Sequence, residues 1–192
     1  MLRRLYDWTI RLAESPHALW ALAVVAFAES SVFPIPPDVI MIPMIIARPN
    51  RAFLIAGVAL AASVSGGVAG YLIGWGLFES VGRPVLEFYH MADKFEVFKT
   101  AYNDWGAWAV LIAGVTPFPY KVITILSGAT GLNFTVFMVA SVAARGLRFF
   151  IVAALLWKFG APIRDFIERR LGLMFILFVV LLLGGFYVVK FL

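Results

Sequence analysis

The stretch "AESSVFPIPPDVIMIP", residues 28–43, decides the fold: apolar sequence that carries Glu29, Asp38 and the prolines Pro34, Pro36, Pro37 and Pro43. A helix crossing a bilayer would lose a backbone hydrogen bond at each internal proline, and a water-exposed loop would not be this hydrophobic. Non-helical backbone at membrane depth is tolerated only inside protein or beside a water-filled cavity. The segment therefore reads as a helix broken within the membrane, with its carboxylates facing an interior site.

The rest of the chain agrees with a bilayer setting. Of 192 residues, 62% are hydrophobic and 14% charged, and the mean hydropathy is +0.93. Soluble domains are about half apolar and about a quarter charged. The absence of cysteine excludes disulfides and thiolate metal sites but leaves the redox compartment open. His17 and His90 read as isolated surface residues, so neither a metal site nor a cofactor is expected. The pI near 9.7 comes from Lys and Arg scattered at the edges of apolar runs. That is the distribution of the positive-inside rule and of headgroup attraction, and no nucleic-acid partner is expected. "ALWALAVVAFA" (18–28) has the length of a signal-peptide core ending in Ala26-Phe27-Ala28. Asp7 and Glu14 in the long preceding region, and the return of apolar sequence after Ser31, favour a retained segment.

A single membrane domain is expected over residues 1–192. Residues 1–15 set Leu2, Leu5, Trp8, Ile10 and Leu12 against Arg3, Arg4 and Arg11, an amphipathic segment suited to the interface. Residues 17–78 form a first unit, a proline-broken hairpin followed by the apolar run Phe53–Phe78 of 26 residues. As helix that run is about 39 Å long, enough to span with some tilt. Gly66, Gly70 and Gly74 recur along it at intervals of four, with Ser63, Gly67 and Ala69 beside them, a pattern that lets helices pack closely. Close packing without further function is the favoured reading of that stripe. Residues 79–104 are the sizeable polar region, expected as an interfacial helix. Residues 107–157 repeat the first unit, with a proline-broken segment and a span over 134–157. Residues 171–189 are a final transmembrane helix without charge.

The repeat shows in register. With an offset of 83, "FPIPPDVIMIP" (33–43) meets "TPFPYKVITIL" (116–126), Pro34 matches Pro117, Pro36 matches Pro119, Asp38 matches Lys121 and Asn50 matches Asn133. Interrupted apolar segments at corresponding positions of two halves point to a transporter's binding site. Each broken segment is read as a re-entrant hairpin turned by its prolines (Pro34, Pro36 and Pro37; Pro117 and Pro119). If the first hairpin opens to the cytoplasm with Arg48 and Arg51, residues 79–104 fall outside. Lys158, Arg164, Arg169 and Arg170 then return inside, as the rule on positive charge requires. The expected fold is an all-α polytopic integral membrane protein: two inverted re-entrant helical hairpins plus about three transmembrane helices.

Glu29, Asp38, Lys121, Arg145 and Arg148 all fall within apolar segments, and the arginines, three apart, share a helix face. A central Asp, Lys or Arg costs roughly 2.5–3.5 kcal/mol to insert, so these groups must pair or line a wet cavity. An ion-pair cluster that merely joins the hairpins is the alternative. Apolar side chains would serve stability as well, however, and intramembrane charge is functional by default. Two carboxylates and three cations suit an anion coupled to protons: Arg offers bidentate donors to phosphate, and a partly desolvated carboxylate takes up a proton more readily than one in water. Metalloprotease, nucleophile-elbow and P-loop signatures are missing, so no enzyme activity is expected.

Glu29 followed by "FPIPPD", the small-residue-rich span and the second broken segment running into "GATG" (128–131) resemble the DedA family of bacterial membrane proteins, part of the wider VTT-domain group. The resemblance covers roughly residues 20–160 and implies opposed re-entrant hairpins in the bacterial inner membrane. It also implies transport of undecaprenyl (polyprenyl) phosphate driven by the proton motive force, with Glu29 and Asp38 as the family's acidic residues. The family's second motif carries arginines around its proline, where this chain has Thr116 and Lys121, its arginines lying in the next span. The expected function is therefore a flippase of phosphate-bearing lipid, with protons and membrane lipid as partners and oligomeric state left open. Glu29 and Asp38 would handle protons, while Lys121, Arg145 and Arg148 would hold the phosphate. The rivals are a proton-coupled small-ion antiporter and a non-transporting assembly scaffold, the latter tested by exchanging Asp38 and Lys121.

Overall fold

The computed structural model describes residues 17–32, 36–116 and 118–169, with side chains as far as Gly160 and at Pro162. The amphipathic segment 1–15, Pro34, Pro117 and the apolar stretch 171–189 lie outside the described residues. Every described element is helical. Helices α1 (Ala18–Ser31) and α2 (Asp38–Ala47) flank the first proline break, and a 3-10 turn (Pro49–Arg51) leads into α3 (Ala52–Leu77). A π-type turn (Phe78–Gly82) continues into α4 (Arg83–Phe88) and α5 (Ala92–Asp104). The second break separates α6 (Gly106–Val115) from α7 (Tyr120–Ala129), and α8 (Phe134–Arg169) follows. Asp38 to Tyr120 and Ala52 to Phe134 are both intervals of 82 residues, so helix starts recur within one residue of the 83-residue offset of the prolines.

Proline accounts for most of the boundaries. Pro37 (φ −64°) immediately precedes α2, and Pro119 (φ −61°) immediately precedes α7. Their fixed φ suits the start of a helix, where a missing N–H costs nothing. Phe159 breaks the φ/ψ run of α8 (φ −121°, ψ 18°), three residues before Pro162, which has no N–H to offer the Lys158 carbonyl. The π-type turn precedes Pro84 in the same way. The polar region folds as two short helices joined at His90, whose φ of 53° makes the turn, rather than as one helix. His17 and His90 are both exposed.

Among the described residues, two segments, Pro49–Phe88 and Phe134–Gly160, are long and apolar enough to cross a membrane. Only 39% of an 18-residue apolar stretch within each is buried, whereas the core helix of a soluble protein is mostly buried. Trp20, Val24, Leu72, Trp75, Val139 and Leu147 on the outside are all more than half exposed, an apolar exterior that suits lipid. By contrast α1, with 14 residues, and α2, with 10, are about 21 and 15 Å long, each short of a hydrocarbon core of about 30 Å.

Among the described residues the interior holds two apolar clusters. One joins Leu22, Met41, Ile45, Ile55, Ala59 and Phe149 from α1, α2, α3 and α8; the other joins Tyr71, Val110, Ala113, Tyr120, Ile123 and Phe137 from α3, α6, α7 and α8. The glycine stripe of α3 serves packing: a Cβ on Gly66 would fall on the Phe27 carbonyl, and one on Gly74 on the Ile125 carbonyl. Helices α1 and α7 therefore lie backbone-to-backbone on α3. In the sequence of α3 and of α8 the two clusters leave a gap between Ala59 and Tyr71 and between Ala140 and Phe149. Ser63, Arg145 and Arg148 occupy it.

Candidate functional site

The gap holds a layer of charge. Glu29 lies in the last turn of α1, Asp38 opens α2, Lys121 is the second residue of α7, and Arg145 and Arg148 project from one face of α8. Arg145 Nη2 donates to Glu29 Oε2 at 2.7 Å, and Arg148 Nη2 donates to Asp38 Oδ2 at 2.5 Å. Arg145 and Arg148 thus take one carboxylate each, from opposite sides of the first proline break.

The Arg145 pair closes into a ring. Arg145 Nε donates to Ser63 Oγ at 2.7 Å, Ser63 lies 2.7 Å from Ser30 Oγ, and Ser30 donates to Glu29 Oε2 at 3.1 Å. Ser30 spends its one proton on Glu29, so Ser63 is the donor in the serine pair. Donation therefore runs by two routes from the guanidinium to the carboxylate. The guanidinium also lies over the rings of Tyr120 and Phe149, 4.8 and 4.7 Å from their centroids, and the Arg145 side chain is 2% exposed. Tyr120 in turn donates to Ser141 Oγ at 2.5 Å.

The Arg148 pair is the more exposed of the two. Its two side chains are 20% and 18% exposed, and Arg148 Nη1 also donates to the Thr116 carbonyl at 2.8 Å, at the start of the second break. Lys121 has no ion pair among the described residues; its ammonium donates to the Val32 carbonyl at 3.4 Å. Aligning the repeats sets Asp38 opposite Lys121, but the structure pairs Asp38 with Arg148. The exchange that tests a purely structural role is therefore Asp38 with Arg148.

Several contacts answer the question raised by the broken backbone. In a continuous helix the carbonyls of Ser30, Val32 and Ala113 would accept from the residues four further on, which are Pro34, Pro36 and Pro117 and carry no N–H. Thr124 Oγ1 shares its one proton between the carbonyls of Ser30 and Lys121, both at 2.9 Å, Lys121 donates to the carbonyl of Val32, and Thr116 Oγ1 to that of Ala113 at 3.4 Å. Donors on α7 thus satisfy the first break, and the charged layer sits where these freed carbonyls gather. Backbone N–H groups of Val39, Ile40 and Met41 bond back to Pro36 and Pro37.

All five predicted residues are brought to the two breaks and the helices around them. Ser30, Ser63, Thr124 and Tyr120 complete the arrangement and escaped sequence reasoning. In the sequence Ser63 is only one small residue among many; Ser30 follows directly on Glu29, and that adjacency was the available signal. Metal-ligand clusters of three or more His, Cys, Asp or Glu are not found among the described residues.

An all-helical membrane protein with a proline-gathered charged layer between two apolar cores is the class this geometry defines. The VTT-domain family profile matches residues 17–158, and the chain belongs to that family, whose DedA members its motifs resemble. An uncharacterised protein of Haemophilus influenzae is 36% identical over 168 residues, covering 85% of this chain and 87% of the relative. An uncharacterised protein of Histophilus somni is 35% identical over the same extent. No solved structure gives a significant match.

Proposed function

We propose that the protein is a transporter rather than an enzyme, moving a phosphate-bearing lipid of the polyprenyl phosphate class across the bacterial inner membrane and driven by the proton motive force. The observation that carries this reading is the pair of intramembrane arginines, each held by a carboxylate across a proline break. A guanidinium bonded to a carboxylate offers phosphate the same planar donor set. Three cations against two carboxylates leave one positive charge in excess, as an anion site requires. Intramembrane charge in this number marks a substrate or proton path by default. In this reading α1–α2 and α6–α7 are re-entrant hairpins that enter from opposite faces, and α3 and α8 are the spans between which the lipid passes. The shortness of α1 and α2, and the donors supplied to the carbonyls at the breaks, support it.

The test is movement between leaflets in proteoliposomes. A short-chain polyprenyl phosphate should cross faster with protein than without it, the uncharged polyprenol should be indifferent to the protein, and Arg148→Gln should abolish the difference. Equal acceleration of phosphate and alcohol would contradict a phosphate-selective site.

A further inference from the structure

The two arginine pairs differ in a way that divides their labour. We propose that Arg148 and Lys121 are the groups that contact the phosphate, that Asp38 is the resident anion which the phosphate displaces, and that Arg145 and Glu29 form a fixed lock that touches no substrate. The inference rests on the transport reading and assigns the parts of its site.

Arg145 has no room for a ligand. It is 2% exposed, lies over two aromatic rings, and spends donors on Ser63 and Glu29 in a ring that joins α1, α3 and α8. A phosphate reaching it would have to break several contacts and strand the Glu29 carboxylate, which the ring serves from two sides. Such a group positions the helices.

Arg148 is built differently. Its carboxylate partner opens α2, immediately after the first break, and its second acceptor is the Thr116 carbonyl, immediately before Pro117. Both partners sit at broken ends of helices, where a small shift of the chain parts them without unfolding a helix. The side chains of the pair are about a fifth exposed. Lys121, on the helix that follows the second break, bonds only a backbone carbonyl among the described residues, at a long 3.4 Å. An incoming phosphate monoester would accept from the Arg148 guanidinium in place of Asp38 and draw the Lys121 ammonium from Val32. It would thereby meet two cations where the carboxylate had met one.

The experiment is binding to the full chain in detergent micelles, with a short-chain polyprenyl phosphate as probe and inorganic phosphate and the matching polyprenol as competitors. Removing the resident anion with Asp38→Asn should tighten binding. Replacing the pair with Asp38→Asn/Arg148→Gln, which leaves no unpaired buried charge, should weaken it by about ten-fold or more, the scale of a lost hydrogen bond to a charged group. Lys121→Gln should weaken it by a smaller factor. Ser63→Ala should lower the melting temperature yet hold the affinity within about two-fold. Affinity retained in the double variant, or lost on Ser63→Ala with the protein folded, overturns the assignment. A wild type that binds none of the probes overturns the transport reading and the assignment together. Inorganic phosphate competing as well as the lipid overturns the lipid reading alone and supports the assignment to Arg148 and Lys121.

Discussion

At the scale of single residues, the protein places a guanidinium in a nearly water-free layer and then satisfies it. Arg145, Ser63, Ser30 and Glu29 close a ring of 2.7 to 3.1 Å contacts, and a ring of this kind matters most through what is left when one member is removed. Arg145→Gln strands Glu29 and should destabilise by roughly 3–5 kcal/mol. Ser63→Ala, which removes a neutral link, should cost about 1–2 kcal/mol. Denaturant or thermal unfolding in detergent, with the double variant Glu29→Gln/Arg145→Gln closing the cycle, checks both; purely additive costs would contradict a coupled ring. The charges themselves were legible, because five ionisable groups in apolar sequence are too costly to bury unless they meet one another or water. Their partners were not. Aligning the repeats identifies equivalent positions, and Asp38 and Lys121 are equivalent without being in contact. Ser63 was hidden for a different reason: a serine in a glycine-rich span looks like packing until an arginine from a distant helix reaches it.

At the scale of elements, proline does two jobs. It ends α1 and α6 by withholding N–H groups, and it starts α2 and α7 with its fixed φ. Carbonyls freed this way need donors from elsewhere, and Thr124 on α7 supplies one to Ser30 on α1. Thr124→Val keeps the shape and removes the donor, so it should destabilise by about 1–3 kcal/mol, the penalty for a buried acceptor left unmade. The same change in a Pro34→Ala background should cost less, since an alanine at that position could supply the missing N–H. Unfolding of the two single variants and the double variant reads the difference, and equal costs in both backgrounds would sink the explanation. The helix breaks and the close-packed span were readable because proline and glycine act through the covalent backbone. The two-helix fold of the polar region was not, since the turn depends on a single residue, His90, adopting a left-handed φ.

At the scale of the whole molecule, two units of equal spacing meet at one charged layer, with an apolar outer face around them. The inverted arrangement proposed for the two units makes a geometric prediction that the cysteine-free sequence is suited to test. Single cysteines at Asn50 and at Lys94 should react with a membrane-impermeant maleimide from opposite sides, Asn50 from the cytoplasm and Lys94 from outside; labelling of both from one side would contradict the topology. The rival structural role of the charges makes a distinct prediction. Exchanging them, Asp38→Arg with Arg148→Asp, should restore stability relative to either single change, and a scaffold would recover function with it, whereas a transporter should stay inactive. The measurement that reaches the central claim most directly is inward and outward movement of a short-chain polyprenyl phosphate in proteoliposomes under an imposed pH gradient, for wild type and for Asp38→Asn. Movement should follow the gradient in the wild type and ignore it in the variant. Movement that is absent from folded wild-type protein, or that follows the gradient equally in both, would contradict that claim.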